Sequence, residues 1–381
     1  MSEKRKVLLV TNIPTPYRVP LFNEINRQLN DCGIRFKVVF GALGYPRRHW
    51  NINIDEFNFD YKILPRAKLD IAGDDRAFFT YKNLIEFINE EKPNVIITNG
   101  FSIATLKIWY LSLIKNIKYI IWSGDINTIG RKISKLRHLQ RIILSRRASG
   151  FIAYGTKALE YLTTLGINKD KIIIGINTVD TRYFLNVIKK TESSNGQKKN
   201  LLYIGNLAKG KRIDQLLQIV KRISLSRDDF QLKIIGIGPE EKDLKKQVND
   251  LKINDYVKFE GYKQKDQLPH YLSVADIFVF PSEYDIWGLV LVEAMATGTV
   301  CISSIHAGAP NDLILDGENG FSVDFRNTEK VFEIINWIFT NPEKAVVIGK
   351  NARTYIENNV SLKISASAFV RMTRAVFLGQ K

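Results

Sequence analysis

Short apolar runs alternate with stretches of helical period along nearly the whole chain, and that alternation restricts the fold more than any other feature of the sequence. In the first half the strand candidates are 7–11, 34–40, 95–98, 119–122, 150–154 and 171–175. In the second half they are 200–204, 231–235, 257–260, 277–280 and 299–303. Runs rich in Val and Ile suit strands buried on both faces, as in a parallel sheet. Parallel neighbours need a crossover, and the intervening helical segments supply it as right-handed βαβ units. The chain has 381 residues, whereas a single core stops growing near ~250–300 residues. The expectation is an α/β protein of two doubly wound domains. Segment 189–200, KKTESSNGQKKN, has no apolar side chain and reads as an exposed interdomain loop. Open sheets of this kind bind ligands at the carboxyl ends of their strands, so the expected site is a cleft between the two domains.

Composition narrows the function classes. A hydrophobic fraction of 45% and a charged fraction of 25% exclude a disordered or collagenous chain. Cys32 and Cys301 lie far apart, in or beside apolar runs, which is expected of reduced, buried thiols in a cytosolic protein. Residues 7–10 are too short for a secretory core, and the apolar stretch 101–122 is broken by Lys107, Lys115 and Lys118. Neither a signal peptide nor a spanning helix is expected. The net charge of +17 sits almost entirely in the first half: residues 1–200 hold 33 Lys+Arg against 17 Asp+Glu, and the rest hold 23 against 22. Within 131–147 lie Arg131, Lys132, Lys135, Arg137, Arg141, Arg146 and Arg147 with no acid. Its apolar residues Ile133, Leu136, Leu139, Ile142, Ile143 and Leu144 fit a helix with one face packed inward and the cations outward. Such a run suits a solvated helix, an anionic membrane leaflet, a phosphorylated substrate or nucleic acid.

The stretch 277–298, IFVFPSEYDIWGLVLVEAMATG, carries the most chemistry. Pro281 and Ser282 stop a strand, 283–288 form a loop, and a helix begins near Leu289 with Gly298 as a left-handed end. A helix start at a strand's carboxyl end offers free N–H groups and the positive end of a dipole, which suits a diphosphate. Asp285 and Glu293 lie eight residues apart, and carboxylates accept paired hydrogen bonds from sugar hydroxyls. Taken alone, the spacing suits a solvated loop residue and a surface helix residue better than it suits a ligand site.

The pattern Pro281-Ser282-x-x-Asp285-x-x-Gly288-Leu289-x-x-x-Glu293-Ala294-Met295-Ala296-x-Gly298 resembles the signature of the glycosyltransferase family 4 enzymes. Other segments resemble the family in order: Val10 to Arg18, Asn177 to Asp180 at the interdomain crossing, Tyr203 to Lys211, Ile234 to Glu240, Val257 to Gly261 and Asp316 to Phe321. The likeness spans most of the chain and is strongest over 177–321. It implies a GT-B architecture of two Rossmann-like doubly wound domains facing across a cleft. An N-terminal acceptor-binding domain would occupy 1–178 and be joined by a C-terminal helix at 362–381. A nucleotide-sugar-binding domain would occupy 179–361. The implied reaction is metal-independent sugar transfer, with retention of configuration, from a UDP-, GDP- or ADP-sugar, with no cofactor beyond that substrate. The sequence shows no Asp-x-Asp triplet and no His/Cys cluster with metal spacing.

Roles follow from the same resemblance. Lys211 would neutralise the leaving diphosphate, Asp285 would bind the transferred sugar, and Glu293 would hold the ribose. Gly205 would allow close approach. Gly288, Leu289 and Val290 would offer backbone N–H groups. Gly236, Gly238, Pro239 and Tyr262 would lie near the nucleobase. Asn206 stands where the family usually has Arg; it keeps a hydrogen bond to phosphate but brings no charge, and Lys209 and Arg212 are the nearby cations that could supply it. On the acceptor side the candidates are Arg18, Asn99 and Asp125. The four histidines are scattered and none is assigned. The expected protein is a cytoplasmic, peripherally membrane-associated enzyme acting on a glycan or lipid-linked acceptor in bacterial-type polysaccharide synthesis, without nucleic acid. A sugar-nucleotide epimerase or hydrolase on the same frame, a basic nucleic-acid-binding protein and a non-catalytic glycan binder are the alternatives.

Overall fold

The computed structural model describes residues 5–44, 52–65, 68–70, 77–115, 117–127, 133–187 and 198–379. The chain divides into two compact units, Met1–Val179 with Leu362–Lys381, and Asp180–Ser361. Most of the 189–200 connection lies outside the described residues.

The first unit runs β1 (Lys6–Thr11), α1 (Val19–Asp31), β2 (Arg35–Phe40), β3 (Asp60–Ile63), β4 (Lys68–Asp70), β5 (Ala77–Phe79), α2 (Leu84–Glu91), β6 (Val95–Asn99), α3 (Ile103–Lys115), β7 (Lys118–Ser123), α4 (Lys135–Arg147), β8 (Gly150–Ala153), α5 (Thr156–Thr164) and β9 (Ile172–Ile174). Seven strands form a parallel sheet in the order β3-β2-β1-β6-β7-β8-β9. β4 and β5 pair antiparallel apart from it. Beyond their first lysines, β1 and β7 are buried throughout, which is what their uninterrupted apolar runs require. The chain's last helix, Leu362–Leu378, packs on α1 and β8. There Phe369 meets Trp122 edge-on at 5.0 Å, and Phe22 meets the same indole at 6.4 Å. Fully burying a ring of this size contributes roughly 1.5–3 kcal/mol.

The second unit runs α6 (Thr181–Leu185), β10 (Lys199–Ile204), α7 (Ile213–Ser224), β11 (Phe230–Ile235), α8 (Glu241–Asp250), β12 (Val257–Gly261), α9 (Leu268–Val274), β13 (Ile277–Phe280), α10 (Leu289–Ala296), β14 (Val300–Ser304), α11 (Pro310–Leu313), β15 (Phe321–Val323), α12 (Thr328–Thr340) and α13 (Pro342–Asn359). Its six strands are parallel in the order β12-β11-β10-β13-β14-β15. Leu216, Leu217, Val220 and Ile223 of α7 are buried in one core with Leu201 and Tyr203 of β10. In both units the strand order reverses beside the first strand, between β1 and β6 and between β10 and β13. Such a reversal leaves a crevice at the strands' carboxyl ends.

Each strand candidate coincides with an observed strand to within one residue at either end. β3 and β15 add an edge to each sheet that the apolar runs do not mark; β3 exposes Asp60, Tyr61 and Lys62. Two expectations are corrected. Cys32 is exposed, whereas Cys301 is buried in β14. Cys32 follows the last turn of α1, where the chain leaves the sheet face through Gly33 at φ +70°. The second correction concerns α4; Arg131 and Lys132 lie outside the described residues. Leu144 is its one buried apolar side chain, while Leu136 is 78% exposed and Leu139 53%. Arg141 turns inward instead, and the exposed Arg147 bends onto α3. Arg141 binds Asp125 at 2.9 Å, and Arg147 donates to the Ser112 carbonyl at 2.6 Å and to its hydroxyl at 3.1 Å. The surface beneath α4 offers a carboxylate and a carbonyl, which a guanidinium satisfies and a leucine does not.

Candidate active site

In the second unit the loops after β10 and β11 are fused. Gly205 N–H donates to Ile235 O at 2.9 Å, Leu207 N–H to Ile237 O at 3.0 Å, and Glu240 N–H to Leu207 O at 3.0 Å. The approach leaves no room for side chains: a Cβ on Gly236, at φ +137°, would stand 1.8 Å from Gly205 O. Gly205, Asn206, Gly236, Gly238 and Pro239 therefore share one end of the sheet. Gly236 N–H reaches Gly261 O at 2.8 Å, which sets the exposed Tyr262 beside them.

A single 3₁₀ turn, Lys209–Lys211, carries Lys211 towards the loop after β13. Its ammonium forms an ion pair with Asp285, each side chain 20% exposed. Gly210 O accepts from Glu283 N–H at 3.0 Å and from Tyr284 N–H at 3.3 Å, tying the two loops together. The second Asp285 oxygen accepts from Trp287 N–H at 3.0 Å. Behind the pair lies Tyr203, whose hydroxyl donates to Asn206 O at 3.1 Å. Burial, and then the Asp285 charge, push that phenol up. Arg212, the next residue, is bound to Asp214 and Glu283 at 3.1 Å each, so its charge is already engaged. Lys209 is exposed and makes no ion pair among the described residues.

Helix α10 opens with Gly288 at φ +101°. A Cβ there would lie 2.6 Å from the Phe280 ring, so only glycine brings the helix start this close to β13. Leu289 and Val290 are in the first turn, where N–H groups have no intrahelical partner. Glu293 follows one turn later, half-buried, its carboxyl with no hydrogen bond or ion pair among the described residues. Burial pushes its carboxyl up to about 7, and the Lys265 charge works in the opposite direction. Lys211 and Asp285 are thus in direct contact, whereas the charge acting on Glu293 is Lys265.

The first unit gathers its own set at the carboxyl ends of β1, β6, β7 and β8. Arg18 is buried and donates through Nη2 to the Tyr154 hydroxyl at 2.7 Å. That hydroxyl in turn donates to Asn99 Oδ1 at 3.5 Å. The guanidinium lies 4.0 Å from the Trp122 ring centre, and its Nη1 has no partner among the described residues. Asp125 accepts from Ser123 at 3.0 Å and from Arg141 at 2.9 Å.

A family model described as glycosyl transferases group 1 matches residues 186–355. An uncharacterised protein in the cps region of Klebsiella pneumoniae is 30% identical over 322 residues, covering 83% of this chain and 76% of that protein. The chain belongs to the group 1 glycosyl transferases. The glycosyltransferase also resembles the crystal structure of Anabaena HepE in complex with UDP, with a TM-score of 0.78 at 17% identity, covering 97% of this chain and 100% of that one. The apo form of the lipopolysaccharide outer core galactosyltransferase WaaB aligns with a TM-score of 0.71 at 17% identity, covering 97% and 99%. The fold is the GT-B architecture of two Rossmann-like units.

Three residues of this glycosyltransferase's site escape sequence reasoning. Tyr154 links Arg18 to Asn99, Arg141 neutralises Asp125, and Lys265 faces Glu293 electrostatically. Tyr154 and Lys265 become visible only when non-consecutive strands pair, and Arg141, one of the cations of the basic run, only when α4 is seated beside the loop after β7. Among the described residues no three His, Cys, Asp or Glu side chains gather as a metal ion would need. None of the described helices is long and apolar enough to cross a membrane.

Proposed function

We propose that the enzyme moves a hexose-type sugar from a UDP-, GDP- or ADP-sugar to a glycan or lipid-linked acceptor, with retention of configuration and without a metal, in cell-surface polysaccharide assembly. The observation that carries this reading is the Lys211–Asp285 pair, set across the strand reversal beside the start of α10. A diphosphate outcompetes one carboxylate for the ammonium, so donor binding would draw Lys211 to the phosphates and free Asp285 for the sugar hydroxyls. As the bond from the anomeric carbon to the diphosphate breaks, negative charge grows on the leaving oxygen. Lys211 and the first-turn N–H groups of α10 would stabilise it without reorganising. The acceptor hydroxyl forms the new bond and its proton goes to the departing phosphate.

Glu293, whose carboxyl has no hydrogen-bond partner among the described residues, would accept from the ribose hydroxyls. Lys209, exposed next to Asn206, would supply the charge that Asn206 does not, since Arg212 is engaged. In the first unit Arg18, Asn99 and Asp125 would receive the acceptor. The UDP in the Anabaena neighbour makes uracil the first base to test, and the outer core galactosyltransferase supports a hexose and a cell-surface product. A thermal-shift panel of nucleotides and nucleotide sugars tests the reading, because a bound donor raises the transition by mass action. A panel in which no nucleotide moves the melting temperature would overturn it. Anomeric analysis of the product then decides retention.

A further inference from the structure

The loop that carries Asp285 is braced from both sides. On one side it is tied to the turn of Lys211, through the Gly210 carbonyl and through the ion pair of Arg212 with Glu283 at 3.1 Å. On the other it rests on the short loop between β14 and α11. There Gly308 N–H donates to Asp285 O and Ala309 N–H to Trp287 O, each at 3.0 Å. A Cβ on Gly308 would stand 2.2 Å from Ile286 O, so the two backbones touch. The direction of the Asp285 carboxylate therefore depends on where residues 305–309 sit.

The start of that loop is fixed by backbone bonds, Ile305 N–H to Val323 O at 3.1 Å and Ala307 N–H to Ser304 O at 3.2 Å. Its side-chain tie is His306, 14% exposed, whose Nε2 lies 3.4 Å from Asp324 Oδ1 just after β15. Asp324 is a fixed anion. The Arg326 guanidinium holds both its oxygens, and Arg326 N–H donates to Oδ1 at 3.0 Å. These bonds keep the carboxyl well below the usual carboxylate range. Nε2 of His306 is buried without a hydrogen bond among the described residues. An apolar side chain would fill the same space without that cost, so packing alone is a poor reason for an imidazole here. Glu283 and Arg212 in turn act electrostatically on Arg326. Arg212, Glu283, Arg326, Asp324 and His306 thus form one charged series across the loops after β10, β13, β14 and β15, beside the Lys211–Asp285 pair.

We infer that His306, held against Asp324, is a positioning residue for sugar transfer. It fixes the loop whose Gly308 and Ala309 N–H groups hold the Asp285 backbone, and so aims the Asp285 carboxylate at the transferred sugar. The inference rests on the reading of Asp285 as the sugar-binding group. Its signature is selective: His306 matters to the sugar and not to the nucleoside diphosphate, because Glu293 and the first turn of α10 do not hang from residues 305–309.

Two variants of the full chain test it. His306→Ala removes the tie, and His306→Gln sets an amide nitrogen where Nε2 stands and can donate to Asp324. Amide hydrogen exchange reads the geometry without any ligand. In His306→Ala, residues 285–288 and 305–309 should exchange several-fold faster, while the fused 205–207 and 235–240 loops keep their wild-type rates. UDP-glucose, GDP-mannose and ADP-glucose, each with its free diphosphate, are the probes of function, and the pair that raises the wild-type melting temperature carries the assay. His306→Ala should lower kcat for nucleotide release by at least about tenfold, since a reacting group misplaced by about 1 Å can cost about 10²-fold. Its affinity for the free diphosphate should be unchanged, and His306→Gln should recover most of the rate. Wild-type turnover in His306→Ala with normal diphosphate binding would overturn the positioning role and leave the donor reading standing. Parallel losses of rate and diphosphate affinity, or a Gln variant as slow as the Ala one, would overturn it as well. If none of the three pairs binds the wild type, the donor reading falls first and takes this inference with it.

Discussion

Lys211 and Asp285 form an ion pair across the reversal of strand order in the second unit, one from the loop after β10 and the other from the loop after β13. Each is one-fifth exposed, so water screens the pair and its contribution to folding is about 1 kcal/mol or less. Its contribution to chemistry is expected to be far larger. Asp285→Asn keeps the shape and the hydrogen bond from Trp287 N–H, and Lys211→Met keeps the aliphatic stem. Both should lower the rate of nucleotide release from a donor sugar by at least about 10²-fold, with the melting temperature nearly unchanged. The double variant should lose less than the sum of the two single losses, because the groups act on one transition state. Wild-type rates in either single variant would remove the assignment.

Glu293 carries a pH signature. Its carboxyl is raised from 4.5 to about 7 in the fold, so the folded protein prefers the protonated form. The associated stability is fully present below pH about 4.5 and is lost as pH rises through about 7. A shift of this size corresponds to roughly 3 kcal/mol. Glu293→Gln stays neutral at every pH. It should therefore melt with the wild type near pH 5 and above it at pH 8, and it should bind the nucleotide more weakly at both. Equal melting temperatures at pH 8 would show that the carboxyl is not strained by burial.

Much of the fold was legible because parallel strands buried on both faces leave uninterrupted Val- and Ile-rich runs, as in Val7 to Val10 and Ile277 to Phe280. The strands that escaped are the sheet edges, β3, which is polar and exposed, and β15, which has only three residues, and the short separate pair β4 and β5. In the site, Asp285 and Gly288 were legible because loop and helix start are contiguous in sequence. The partners Tyr154 and Lys265 were not, since strand pairing across long separations brings them in. The inward turn of Arg141 was hidden for a different reason. Helical spacing marks which side chains share a face, and here the neighbouring surface, with Asp125, decides which face is inside.

Glycine substitutions should separate the two close approaches in the second unit. Gly236→Ala adds a carbon 1.8 Å from the Gly205 carbonyl oxygen, a backbone atom that cannot swing aside, and does so at φ +137°. Gly288→Ala meets the Phe280 ring at 2.6 Å, and a ring can tilt. Strain at one such position costs on the order of 1–3 kcal/mol before any clash is counted. Gly236→Ala should therefore lower the urea midpoint more than Gly288→Ala does. Gly288→Ala should instead show its larger effect in donor binding, since it shifts the start of α10. Reversal of the stability order would contradict this account of the β10–β11 junction.

Arg18 offers a test in which stability and activity part company. Arg18 is 9% exposed; its guanidinium stacks on Trp122 and has the Tyr154 hydroxyl at 2.7 Å but no carboxylate partner among the described residues. A buried cation without a counter-ion is costly to desolvate, and contact with aromatic faces returns only about 2 kcal/mol. Arg18→Met keeps the apolar stem between Trp122 and Tyr154 and removes the charge, so the melting temperature should hold or rise. Arg18→Lys keeps the charge but loses the planar fork, and should fall by about 1–2 kcal/mol in unfolding free energy. If the residue is retained for an anionic or hydroxyl-rich acceptor, both variants should raise the acceptor KM and leave the donor KM alone. Steady-state kinetics with each substrate varied in turn would read the difference. An unchanged acceptor KM in Arg18→Met would reduce Arg18 to a packing residue.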